Sequence, residues 1–339
     1  AGKLIGIVTR TDLIKHWARM HPTASTPPPE EVTDEQINSV LGVPAGTLIR
    51  AVAAHAQTSG VGVFMVGGGA RDLLLGRRNL DIDFVVEGDA IAFADSLRAR
   101  FGGDVNSFRP FGTAKWRLNA EASEALGIPS ASLPDHIDFA TARNEFYEHP
   151  TALPTVYSGS IKLDLGRRDF TLNTLAVQLS PAALKGRIVD YYGGLRDLRG
   201  GVIRALHSLS FVDDPTRILR AVRFERRLGF TIEPRTAELI HTALPMLGRI
   251  TGERVRNELT LMLREPEPEY TLLVLQERGI LRAIHPALVV GEHIVSQFER
   301  ARSADRFVLV DDITDLYWHL IATHVEPAAL PGVCERLVF

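Results

Sequence analysis

Cysteine is almost missing: Cys334 is the single one in 339 residues, which leaves no disulfide framework and no cysteine-rich metal site. A reducing compartment follows, and the chain reads as cytoplasmic. Long apolar runs are missing too. Stretches such as "VGVFMVGGGA" (61–70) fall well short of the ~20 residues a membrane helix needs. No cationic start with an apolar core and cleavage site is present, so neither export nor membrane anchoring is expected. Positive charge shows no excess: 38 Lys and Arg stand against 41 Asp and Glu, a formal net charge of −3, which excludes a uniformly basic nucleic-acid coat. Lysine is scarce even within that set, with five in the chain and none after Lys185. Any nucleic-acid contact must therefore be local and arginine-based. There is no His-Asp dipeptide, and His207, His241 and His285 show no metal-ligand spacing, which speaks against a fused hydrolase of the metal-dependent His-Asp type.

What is present divides along the chain. The opening "GKLIGIVTRTDLIKHW" reads as two short strands and a helix entered through Thr9 and Asp12, and it resembles the closing strand-strand-helix of a CBS domain. That assigns residues 1–20 to a CBS-like remnant, with a packing role competing with nucleotide binding. The chain also starts without Met, so it is expected to be a fragment of a longer protein. Residues 21–35, "HPTASTPPPEEVTDE", are proline-rich, acidic and nearly devoid of apolar side chains, the composition of a linker. From 36 to 180 strand and helix patterns mix. A helical pattern broken at Pro44 leads into the strand "VGVFMV" (61–66), a short helix closed by Gly76, the strand "IDFVV", a helix over 89–101, and strands at "TAKWRL" and "HIDFATA". Beyond Asp190 the spacing is helical and no alternating strand is read. The expected architecture is α/β plus all-α: a mixed-sheet head over 36–180, a helical neck over 181–260 and a helical body over 261–339.

Within the head, "RRNLDIDFVV" (77–86) places Asp81 and Asp83 one residue apart. In a strand they share a face. A bare D-x-D is ordinarily a turn acid followed by a surface acid. Here Phe84, Val85 and Val86 bury the strand, and an acid pair at the lip of a buried strand suits Mg²⁺, which takes hard oxygen ligands and grips substrate phosphates. Just upstream, "VGGGARD" supplies Gly67, Gly68 and Gly69, where backbone can approach a ligand and helix N–H groups can face an anion. The glycines fit neither G-x-G-x-x-G nor a Walker P-loop. Alone they would mean a tight turn; coupled to D-x-D about a dozen residues later they suggest a triphosphate site.

"GGGARDLLLGRRNLDIDFVVEG" resembles the signature of the class II tRNA nucleotidyltransferase and bacterial poly(A) polymerase family, within the polymerase-β-like nucleotidyltransferases. The resemblance runs through most of residues 60–260. It implies a third acid at Asp138 in "HIDFATAR", ribose and triphosphate contacts by Arg168, Asp169 and Asn173 in "GRRDFTLNTLA", and a spring between head and neck in "DYYGGLRDLRGGVIR". "DDPTRILRAVRF" matches the family's base-reading helix and "GERVRNEL" a structural neck motif. Three features depart from the family. Asp213 stands where Glu is usual, and Thr174 where Ala usually follows the Asn. The polar segment 119–135 lengthens the loop before Asp138. "HPTALPTVYSG" falls in the flexible element that governs nucleotide choice.

The implied chemistry is a two-metal transfer: two Mg²⁺ ions on Asp81 and Asp83 clamp the triphosphate and activate an RNA 3′-hydroxyl, with Asp138 completing the acidic cluster. Arg71 and Arg168 suit phosphate oxygens. Asp214, Arg217 and Arg220 share one helix face; an acid accepting from an exocyclic amine and an Arg donating to ring acceptors would select ATP and CTP over GTP and UTP. Asp214 before Pro215 is equally an ideal N-cap; base reading is preferred here, with Asp213 sharing the cap. Seven neck arginines, Arg223, Arg226, Arg227, Arg235, Arg249, Arg254 and Arg256, suit an RNA acceptor stem, or else a solvated face laced with Glu225, Glu233, Glu238 and Glu253. The expected function is AMP transfer from ATP to the 3′ end of tRNA, with the A-adding type suggested by the CBS-like start, Asp213 and Thr174. CCA-adding, CC-adding and polyadenylating enzymes would use the same residues. A catalytically silent nucleotide-sensing or RNA-binding module is the reading of another class. The oligomeric state is left open.

Overall fold

In the computed structural model the chain is described over residues 30–146, 155–304 and 312–339. The CBS-like stretch, residues 21–29 of the proline-rich linker and much of "HPTALPTVYSG" lie outside the described residues; the rest of the expected linker belongs to the head, with Val32 buried in its core and Thr33 capping the first helix. Pro44 falls in the first turn of a helix, where its missing N–H costs nothing. The expected helical segment is thus two helices, α1 (Asp34–Leu41) and α2 (Val43–Ser59), joined at Gly42 with φ 93°. The head continues with β1 (Gly62–Val66), α3 (Gly67–Leu74), β2 (Asp83–Glu87), α4 (Ala90–Phe101), β3 (Asp104–Phe108), β4 (Thr113–Arg117), α5 (Ala120–Leu126), β5 (His136–Thr141), the hairpin β6 (Arg143–Phe146) and β7 (Thr155–Ser158), α6 (Ile161–Gly166), β8 (Ala176–Ser180) and β9 (Ile188–Val189).

Seven strands form one mixed sheet in the order β3-β4-β5-β2-β1-β8-β9. Only β2 and β5 pair in parallel. Alternation decides what each face carries. Phe84 and Val86 of β2, Ala114 and Trp116 of β4, and Ile137 and Phe139 of β5 point to one side, into a core shared with α1, α2 and α4. On the other side Phe64, Val66 and Val85 pack with Ile161 and Leu165 of α6. Asp83, Asp138, Thr113 and Lys115 lie on this second side and stay partly exposed. The sheet therefore buries one face and covers the other only in part, leaving the row around Asp83, Asp138, Lys115 and Thr113 open to solutes.

Segment 119–135 is not a plain loop. Asn119 caps α5 by accepting from Ala122 N–H, and Ala122 and Ile128 are buried in the head core. Strand β3 is polar and mostly exposed, and β8 is buried throughout; neither shows the alternation that reads as a half-buried strand. Past Asp190, contrary to expectation, Val202–Ile203 pairs in parallel with Thr231–Ile232. The rest is helical as expected: α7 (Gly194–Arg199), α8 (Ser210–Asp213), α9 (Thr216–Leu228), α10 (Pro234–Ala243), α11 (Gly252–Leu263), α12 (Pro268–Glu277) and four further helices to Leu337. Their core is continuous with Phe170, Leu172 and Leu175, so the "RRDFTLN" turn is packed into the helical part, and head and neck share an interior. Among the described residues no helix is long and apolar enough to cross a membrane.

Candidate active site

Asp83 opens β2 and lies in register with Asp138 of β5. Asp81 precedes it by two residues across the buried Ile82, and its N–H donates to Asn79 Oδ1 at 3.0 Å. Asn79 in turn donates to Asp72 Oδ2, tying the D-x-D turn to α3. Ligand atoms of Asp81, Asp138 and His136 fall within 4.8 Å of one another. Burial, then the charges of Asp81 and Asp138, push the Asp83 carboxyl up to about 6, against the opposing pull of Arg168 and Lys115. A carboxylate raised by two neighbouring carboxylates is part of a donor set suited to a hard divalent cation. Asp81 of the expected pair is thus joined by Asp138 and by His136, the latter not anticipated, while Asp83 faces Asp138 across paired strands. Period two in "HIDFATA" puts His136 on the face of Asp138, and that signal could have found it. Lys115 is the other addition: it pairs with Asp138 across β4 and β5, and its Nζ donates to Asp138 Oδ2 at 3.0 Å.

The three glycines form the first turn of α3 rather than a loop before it. Gly67 takes φ 64°, and a Cβ there would lie 3.1 Å from Arg168 Nη1 and 3.6 Å from Asp83 Oδ2. Only glycine lets the backbone pass between that acid and that guanidinium. Arg167 and Arg168 both pair with the fully buried Asp164, at 2.7 and 3.2 Å. Arg71 departs from expectation. It is 2 % exposed, it pairs with Asp72 at 2.8 Å, it donates to Asn173 Oδ1 at 2.9 Å, and it lies over the Phe224 ring. A guanidinium so enclosed holds Asn173 in place.

Asn173 passes the constraint on, donating to Asp169 Oδ1 at 2.8 Å. Asp169 also accepts from Phe170 N–H and from Arg220 Nε at 2.8 Å. Burial pushes its carboxyl up, but Arg220 and these hydrogen bonds prevail and hold it below the usual carboxylate range. Thr174 is fully buried, and its hydroxyl donates to Thr171 C=O, so the departure from alanine leaves Asn173 undisturbed.

Asp214 does cap α9, accepting from Thr216 N–H at 3.1 Å and from its hydroxyl at 2.6 Å. The cap is made by Asp214 and not shared by Asp213. Arg254 Nη2 donates to the same Oδ1 at 2.7 Å. Since all three bonds meet Oδ1, capping does not exhaust the carboxylate, and Oδ2 is left for a ligand. Arg217 is anchored by Ser210 Oγ and the Arg167 carbonyl and keeps further N–H donors on its fork.

These groups line one cavity of about 560 Å³, walled by Gly67, Gly68, Asp83, Arg168, Asp169 and Asn173 on one side and by Asp214, Thr216, Arg217 and Arg220 on the other. Arg254, Asn257 and Glu258 of "GERVRNEL" complete it, a role not anticipated for that motif. Their spacing along α11, opposite the buried Val255, Leu259 and Met262, is the sequence signal for it. A second cavity of about 320 Å³, with Asp138 and Thr113 in its wall, shares Asp83, Arg167 and Arg168 with the first. The neck arginines serve the fold as much as any ligand. Arg223 is buried beside Glu258, Arg227 lies 3.9 Å from Asp72, Arg235 pairs with Glu238, and Arg256 bonds the Val338 carbonyl.

Residues 63–204 match the family described as "Poly A polymerase head domain", and residues 229–290 match "Probable RNA and SrmB- binding site of polymerase A". The A-adding tRNA nucleotidyltransferase of Geobacter sulfurreducens is 37 % identical over 353 residues, covering 99 % of this chain and 38 % of that protein. The A-adding tRNA nucleotidyltransferase of Halalkalibacterium halodurans is 38 % identical over 241 residues, covering 70 % of this chain and 53 % of that protein. The chain thus spans roughly a third to a half of the length of these relatives. Among solved structures, the complex of a CCA-adding enzyme with ATP superposes with a TM-score of 0.74 at 33 % identity, covering 91 % of this chain and 69 % of the other.

Proposed function

The chain belongs to the family of tRNA nucleotidyltransferases and poly(A) polymerases, with a polymerase-β-like head, and from that premise we propose that it transfers AMP from ATP to the 3′ end of tRNA already ending in CC. The observation that carries the reading is the junction of the acids with the cavity: Asp83, in register with Asp138 and raised by the charges of Asp81 and Asp138, is part of the cavity wall. The family uses divalent metal. Asp81, Asp83 and Asp138 are the residues that would hold Mg²⁺, two ions in this reading, whose chemistry is to neutralise a triphosphate and ease deprotonation of a 3′-hydroxyl.

The chain's own groups do the rest. Gly67 and Gly68 let the triphosphate lie against the start of α3, and Arg168 offers its guanidinium to phosphate oxygens. Asn173 and Asp169, fixed by Arg71 and Arg220, orient the ribose. Asp214 Oδ2 accepts from an exocyclic amine, and Arg217 donates to ring acceptors. An adenine or cytosine edge satisfies both; guanine or uracil would leave buried polar groups unpaired, the costly case.

The A-adding reading is supported by the two relatives above, which carry that name over most of this chain. Three acceptors test it, each with ATP and with CTP in the presence of Mg²⁺: tRNA lacking CCA, tRNA ending in CC, and an unstructured RNA. One adenosine on the second acceptor alone is expected. Cytidine on the first would mean CCA or CC addition, and long adenosine tails on the third would mean polyadenylation. Absence of any transfer by a folded, ATP-binding protein would favour the silent module.

A further inference from the structure

We infer that the reactive face of the sheet continues outward into a stacking platform for the single-stranded 3′ end of the RNA, built on Phe108 and Phe111 at the β3–β4 turn; this rests on the proposed transfer to an RNA 3′ end. Strand register places the platform. Asn106 pairs with Lys115, Lys115 with Asp138, and Asp138 with Asp83, and directly paired residues share a face. In the neighbouring row Phe108 pairs with Thr113 and Thr113 with Ala140. Phe108 therefore stands on the same face as the acids, two strands over and one two-residue step along from Asp138, about 12 Å away by strand geometry. That distance is a few nucleotides of extended strand.

The surface there has the character of a nucleic-acid contact. Phe108 is 53 % exposed on a polar edge strand, its ring 5.3 Å from that of Phe111. Arg143 holds the turn, its Nη1 donating to the Phe111 carbonyl at 2.7 Å and its guanidinium 5.5 Å from the Phe111 ring. Isolated exposed apolar side chains call for no explanation. Two adjacent rings braced by an arginine, beside the exposed Arg109, match the combination of aromatic faces and cationic groups by which proteins hold unpaired bases. The 320 Å³ cavity reaches from Asp83 and Asp138 to Thr113, the strand partner of Phe108. An RNA end stacked on Phe108 would run along this cavity and bring its terminal hydroxyl to the acids from the side away from the nucleotide cavity.

The test reads RNA binding directly, with no ATP or Mg²⁺ present, by anisotropy of a fluorescent single-stranded oligonucleotide ending in CC and the full chain. Phe108→Ala and Phe108→Leu should each weaken binding about tenfold, the loss of one base–aromatic stack, while Phe108→Tyr stays near wild type and ATP affinity is unchanged in all three. Phe108→Trp adds a signal that does not depend on loss of function: its emission should be quenched by the oligonucleotide. Equal affinity in Phe108→Ala, full retention in Phe108→Leu, no quenching of Phe108→Trp, or no binding by the wild type would each overturn the platform. A protein that loses RNA on Phe108→Ala but transfers no nucleotide would sink the transfer reading and leave the platform standing. An active protein whose RNA binding ignores Phe108 would do the reverse.

Discussion

At Asp83 the proposed chemistry works against the stability of the fold. Its carboxyl, ordinarily near 3.8, is raised to about 6, first by burial and then by Asp81 and Asp138. An acid whose pKa is raised on folding contributes stability that is complete below its unfolded pKa and is lost as pH rises through the folded value. In metal-free protein, Asp83→Asn should therefore raise the melting temperature at pH 8 and do nothing at pH 4; about two pKa units set a ceiling of about 3 kcal/mol. Added Mg²⁺ should stabilise the wild type at pH 8 far more than the variant. Melting curves of both proteins across that range decide it, and a pH-independent difference would show that the acids do not strain one another. Arg254 makes a second case. Because Thr216 keeps the cap on Asp214, Arg254→Ala should leave melting almost unchanged while lowering the preference for ATP over GTP, read as the ratio of kcat/KM values. Asp214→Ala should lower that preference and also cost about 1 kcal/mol as a lost cap. Unaltered preference in both variants would confine Asp214 to capping.

Elements were legible where hydrophobic period and chemistry agreed. The acids of β2 and β5 stand out because apolar neighbours define the strands around them, and the glycine turn because nothing else explains it. Strand β3 was invisible because a polar edge strand has no buried face to write alternation. Strand β8 was hidden for the opposite reason, being buried on both sides, with Gln178 bonding the Ser180 carbonyl. Arg71 looked like a phosphate ligand because its burial comes from Asn173 and Phe224, far away in sequence. The α11 face of Arg254, Asn257 and Glu258 was readable in principle, by its polar spacing. The junction of head and neck is the element most exposed to test. At Gly194, in the first turn of α7, a Cβ would fall 2.4 Å from the Thr171 carbonyl oxygen, which belongs to the turn that carries Asn173. Gly194→Ala should cost 1–3 kcal/mol, the usual range for overpacking, and raise KM for ATP. Chemical denaturation and ATP kinetics measure both, and an unchanged midpoint would mean that the turn gives way freely.

At the scale of the whole chain, one interior runs from the "RRDFTLN" turn through the helices to Leu337, so a nucleotide bound against Asp169 and Arg217 contacts head and neck together. The central claim is that this junction transfers AMP to an RNA 3′ end through the Asp81, Asp83 and Asp138 cluster. The most direct measurement is the mass of tRNA ending in CC after incubation with ATP and Mg²⁺, for the wild type and for Asp83→Asn. The account predicts a gain of one adenylate residue with the wild type, none with the variant, and none when Mg²⁺ is chelated. Adenylate addition by Asp83→Asn at the wild-type rate, or none by a wild type that binds both ATP and tRNA, would contradict it.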